Sequence, residues 1–141
     1  MADDDPKLQR VRDAIADRFS TIDGLRGLKT IPSEITPPAV AIEIESIDYD
    51  TTMDRGSDDV TWVATLFESK TSERVSQDRL FAYMSGAGPK SVKAAFEANT
   101  TLGGLVFDVS VAEARQPGTT PVGAIEYNVV QFVLVSTMDS A

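Results

Sequence analysis

The chain has 141 residues, 42% of them hydrophobic, which suits one domain with a self-supporting core. Its 22 acidic residues outnumber 13 basic ones, a net charge of −9 that argues against phosphate-backbone binding, which needs clustered cations. Cysteine and histidine are absent, so disulfides, thiolate or imidazole metal sites and every Ser-His or Cys-His catalytic arrangement are excluded.

Residues 1–6 lack the cationic and apolar regions of a secretory signal, and no apolar run approaches the roughly 20 residues that span a bilayer. The expectation is one cytoplasmic domain over residues 1–141, with flexible ends at 1–5 and 138–141. Residues 6–22 predict a helix, because Leu8, Val11, Ile15, Phe19 and Ile22 recur at three- and four-residue spacing. Asp5 suits its N-cap, Pro6 its first turn and Gly24 its stop. The other side carries Lys7, Arg10, Asp13 and Asp17.

Leu25 to Ile31 has room for a brief strand before Pro32. Val40, Ile42 and Ile44 alternate with Ala41, Glu43 and Glu45, the period of a half-buried strand. Residues 48–59 read as a polar, acidic connection. Val60 to Glu68 reads as the second strand of a hairpin, with Trp62, Ala64 and Leu66 on one face and Val63 and Phe67 on the other. A helix over 73–84, capped by Thr71 or Ser72, buries Leu80, Tyr83 and Met84. A shorter helix starting at Pro89 turns Val92, Ala95 and Phe96 inward. Strands at about 106–114 and 124–137 close the chain, separated by Gln116-Pro117-Gly118 and Val122-Gly123 as turns. The last strand is apolar on both faces, which predicts either cover by a neighbouring subunit or a place between helices and a second layer. The block order α-β-β-α-α-β-β favours an α+β fold, an antiparallel or mixed sheet flanked by helices.

No catalytic or cofactor motif survives inspection. A phosphate-binding loop needs glycines where Pro89 and Met84 stand, and an EF-hand needs a ligand at Thr52 and a glycine at Met53. Ser69-Lys70 and Lys90-Ser91 lack the context of a Ser–Lys dyad, and Glu43 with Glu45 lacks a pocket. Neither a cofactor nor a metal is expected, and the chain is not expected to be an enzyme. The densest feature is the stretch from Glu43 to Asp59, with seven acids and one base.

Several segments carry a likeness beyond period and composition. Residues 47–59 (IDYDTTMDRGSDD) resemble the hairpin of tail terminator proteins of long-tailed phages of actinobacteria. Residues 76–84 (SQDRLFAYM) are similar to that family's QDRLDAYL helix, and residues 91–98 with 101–104 to its SVKAALEA…TLGG stretch. Residues 123–127 (GAIEY) match the start of its last strand. The likeness extends from the first helix to about residue 135; Phe96, where the family often has Leu, and the acids at 3–5 depart from it.

The resemblance implies a structural virion protein in the neck region of the tail, assembled in the host cytoplasm. It implies a ring-forming subunit, usually a hexamer, that caps the head-proximal end of the tail tube, stops its polymerisation and joins the head. The partners implied are other copies of the chain, the tail tube protein and the head–tail connector or stopper, with DNA passing through the lumen unbound and no membrane. Met53, Asp54, Arg55, Asp58 and Asp59 are then the candidate subunit or lumen contacts. A head-completion protein, a tube subunit, or a small ligand-binding domain or hydrolase are the other readings.

Overall fold

The computed structural model describes residues 7–22, 25–28, 38–49, 56–69, 73–123 and 125–139. Among these the chain runs α1 (Lys7–Phe19), β1 (Arg26–Leu28), β2 (Ala39–Asp48), β3 (Ser57–Ser69), α2 (Glu73–Met84), α3 (Val92–Glu97), β4 (Asp108–Val122) and β5 (Ile125–Asp139). The strands form one five-stranded sheet in the order β1-β2-β3-β5-β4. β1 lies parallel to β2 and every other pair is antiparallel, so the fold is α+β with a mixed sheet. The short β1, within the stretch suspected of a strand, stands as an extra element in the order expected from sequence.

All three helices lie on one face of the sheet. The stripe of α1 buries Val11, Ile15 and Phe19 against Val40, Trp62, Leu66, Phe132 and Leu134. Fully burying one such side chain stabilises the fold by about 1.5–3 kcal/mol, so this stripe dominates the docking of α1. Phe19 meets Phe96 of α3 edge-on at 5.1 Å, and Arg18 Nε donates to Ala95 O at 2.7 Å. Trp62 is wholly buried, and its indole N–H donates to Ser136 Oγ at 2.9 Å, which satisfies both polar groups.

Helix ends depart from expectation for local reasons. α1 stops at Phe19, because the hydroxyls of Ser20 and Thr21 donate to the carbonyls of Ala16 and Arg18 and tighten the last turn. Its predicted cap (Asp5, Pro6) and stop (Gly24), like the Thr71 or Ser72 cap of α2, lie outside the described residues. α3 starts after Ser91 instead of at Pro89: Ser91 Oγ accepts from Ala94 N at 3.1 Å and serves as the N-cap. Ser91 is thereby a capping residue, and Lys90 Nζ sits over the Tyr83 ring at 5.7 Å.

The strands also differ from the sequence expectation. Gln116-Pro117-Gly118 is a bulge inside a continuous β4, where the register with β5 shifts between Arg115 and Gly118, and the hairpin turns only after Val122. Gly123, at φ 64°, has the left-handed backbone that a two-residue hairpin loop needs. β2 is not half-buried along its length. Ala39–Ile42 is buried on both faces, whereas Ile44, the last residue before a bulge in β2, is exposed.

The described helices cover one of the two apolar faces of β5. Its core side (Val130, Phe132, Leu134, Met138) belongs to the helix-covered cluster. Its other side joins a second cluster of Ala39, Ala41, Phe67, Tyr127 and Val129, and no helix or second layer covers it among the described residues.

Candidate subunit-contact surface

Pairing register decides which acids share a surface. Asp48 of β2 lies opposite Asp59 of β3, Asp59 opposite Thr137 of β5, and Thr137 opposite Asp108 of β4. Directly opposed strand residues point to the same side, so these four form one row across an end of the helix-free face. Within the row, Thr137 Oγ1 donates to Asp59 Oδ1 at 2.8 Å. Asp48 and Asp59 are like charges on facing strands, an unfavourable pairing that the exposure of Asp48 moderates.

The candidate residues divide on this geometry. Met53, Asp54 and Arg55 lie outside the described residues. Asp58 and Asp59 are not in a loop, because β2 runs on to Asp48 and β3 already begins at Ser57. Asp59 belongs to the row, whereas Asp58 is opposite Met138 and turns to the helix-bearing side. The structure adds Asp108, from a segment 49 positions further along the chain, and brings Asp48 into the same row. Strand alternation in 57–59 hinted at the opposite facing of Asp58 and Asp59, but no local signal announces Asp108.

Two large rings flank this end of the sheet. Tyr49 follows β2 with 69% of its surface exposed, and Phe107 precedes β4 with 61% exposed. Phe107 is fixed by its backbone N–H, which donates to Thr137 O at 2.8 Å.

Among the described residues both sheet edges are unpaired, and both are blunted. Among the same residues β1 covers only Ala39–Ala41 of β2, and the rest of β2 is interrupted by a bulge and bears Glu43 and Glu45. β4 carries two register shifts, Pro117, Glu113 and Arg115. Bulges, charges and proline are devices that discourage addition of a further strand.

The concavities lie elsewhere. A groove of about 280 Å³ runs between α1 and the turn after α3, lined by Asp17, Arg18, Asn99 and Leu102 among others. A smaller one of about 200 Å³ separates α3 from the start of β4. No group of three carboxylates among the described residues is arranged to hold a metal ion, and no described helix is long and apolar enough to cross a membrane. In comparisons with known proteins, no family model and no curated protein matches this chain.

Proposed function

We propose that this chain is a structural subunit of a long-tailed phage particle, a tail terminator that closes the head-proximal end of the tail tube. The observation that carries the reading is the likeness of residues 47–59, 76–84, 91–98, 101–104 and 123–127 to that family. These segments fall on the β2–β3 hairpin, α2, α3, the turn after α3 and the β4–β5 hairpin. Three of these segments hold special backbone conformations: the Ser91 cap, the turn with Leu102, Gly103 and Gly104 all at positive φ, and Gly123.

In this reading the chain makes and breaks no bonds, and its mechanism is geometric. Copies join head to tail into a closed ring, of six by family likeness, so no growing end remains for tube subunits. One side of the ring meets the tube protein and the other the head connector. The row of Asp48, Asp59 and Asp108 extends the acidic character of the β2–β3 connection across one end of the sheet. Facing a lumen, such a row repels the DNA phosphates and lets the duplex slide without binding. Localisation in the virion neck, after assembly in the host cytoplasm, follows from the same reading.

Electron microscopy of particles carrying a label on the C-terminus of this chain tests the proposal. A single ring of label at the head–tail junction is expected. Label along the whole tube would identify a tube subunit instead, and particles without label would end the structural reading.

A further inference from the structure

Arg115 of β4 and Glu45 of β2 form an ion pair at 3.1 Å, although β5 and β3 lie between them. Three strand spacings separate the two strands by about 14 Å in a flat sheet. Arg115 shares a row with Gln131, Thr65 and Ala41, and Glu45 lies four residues beyond Ala41, about 13 Å further along the strand. The flat-sheet separation is therefore about 19 Å. Extended arginine and glutamate side chains with an ion pair between them reach at most about 15 Å between their Cα atoms. The sheet must fold over its helix-free face to bring them together.

Twist accumulated over three strand pairs draws two diagonal corners of a sheet toward one side, and bulges sharpen the bend. Both partners sit at bulges: Glu45 is the extra residue between Ile44 and Ser46, and Arg115 borders the break before Gly118. At those points ladder hydrogen bonds are lost and the backbone yields most easily. Arg115 does not act as one half of an isolated pair. Its guanidinium also lies 3.6 Å from Glu113, and its Nε donates to Gln131 Oε1 at 3.4 Å. Val133, opposite Glu113 on this same face, is only 7% exposed although no described helix covers it.

We propose that Arg115 and Glu45 are a clasp that holds the sheet folded over its helix-free face and that opens as ionic strength rises. Both side chains are partly exposed, so their attraction is screened by salt, whereas the apolar clusters are not. An open clasp flattens the face and turns Val63, Val133 and Val135 into a continuous apolar strip. The shape of this surface then depends on the surrounding salt. The inference is independent of the assembly reading.

The chain has no cysteine, so Ser46→Cys with Thr119→Cys places two spin labels at exposed positions on the folded diagonal without competing sites. Electron–electron double resonance reads the distance between them. Arg115→Gln is expected to lengthen that distance by up to about 4 Å, the gap between the flat-sheet separation and the reach of the pair, since intrinsic twist and the bulges remain. The exchanged pair, Glu45→Arg with Arg115→Glu, is expected to restore it. Salt at 1 M, added to the labelled chain with its native pair, is expected to lengthen it as Arg115→Gln does. An unchanged distance in folded Arg115→Gln, failure of the exchanged pair to restore it, or indifference to salt would each overturn the clasp. If Arg115→Gln does not fold, the salt series on the native pair decides alone.

Discussion

Gly27 lies against the backbone of α1 at Ala16, and adding one methyl group there has a calculable consequence. A Cβ built on Gly27 stands 1.9 Å from Ala16 O, 2.6 Å from Ala16 C and 3.0 Å from Ala16 Cα. All three are backbone atoms, so no side-chain rotation relieves the clash. An ordinary contact begins near 3.4 Å, so α1 must retreat by about 1.5 Å or β1 must leave its parallel register with β2. Retreat loosens Val11, Ile15, Ala16 and Phe19, each at most 1% exposed. A radial gap of about 0.5–1 Å already forfeits a quarter to a half of each dispersion contact. Overpacking typically costs about 1–3 kcal/mol, and the loosened stripe puts this site at the upper end.

Against that stands the entropy gained by restricting the unfolded chain, about 0.4–1 kcal/mol for Gly→Ala. The clash wins, and Gly27→Ala is expected to lose about 2–3 kcal/mol net. The chain supplies its own probe, since its single tryptophan, Trp62, is wholly buried in the cluster α1 packs on. Urea unfolding followed by Trp62 fluorescence should show a lower midpoint with an unchanged slope. A loss under about 0.5 kcal/mol, or any gain, would refute the close approach of α1 to β1.

Leu102 offers a reversal of the usual order of substitution. It adopts φ 51° yet is buried in the core, so strain of about 1–2 kcal/mol is offset by apolar burial. Leu102→Ala keeps the strain and loses the burial, whereas Leu102→Gly loses both. Glycine should therefore be the milder change by about 1 kcal/mol, and alanine proving milder in urea unfolding would contradict the left-handed backbone. At the acidic row, Asp48→Thr removes a like-charge neighbour of Asp59 and should stabilise by about 0.2–1 kcal/mol in low salt. The gain should shrink in 0.5 M salt, and a gain indifferent to salt would point to strand propensity instead.

The parts of the fold that were legible in the sequence rest on period. The stripe of α1, the facing of Trp62, Ala64 and Leu66 against Val63 and Phe67, and the buried side of α2 all follow from spacing alone. The misreadings arise where two local rules compete or where a partner decides. Pro117-Gly118 has the composition of a turn, but β4 is an edge strand, and an edge tolerates a proline that a central strand would reject. Pro89 and Ser91 are both starting signals, and the cap with a hydrogen bond to donate to it prevailed. Ile44 alternates correctly but emerges beyond the part of β2 that α1 and β1 cover. Three residues of β1 are too few to show any period.

The candidate surface was legible only as charge, because charge is written along the chain while a face is written across it. The acids from Asp48 to Asp59 read as one loop. In the structure Asp48 and Asp59 share one face with Asp108, and Asp58 belongs to the other. Alternation puts neighbours such as Asp58 and Asp59 on opposite sides of a sheet, and register, which depends on distant strands, supplies the rest of the row. Reversing Asp58 and Asp59 together would therefore perturb two surfaces at once. Substituting Asp59 with Asp48, or Asp59 with Asp108, confines the change to one face, and only such face-matched pairs separate a contact surface from a merely acidic segment.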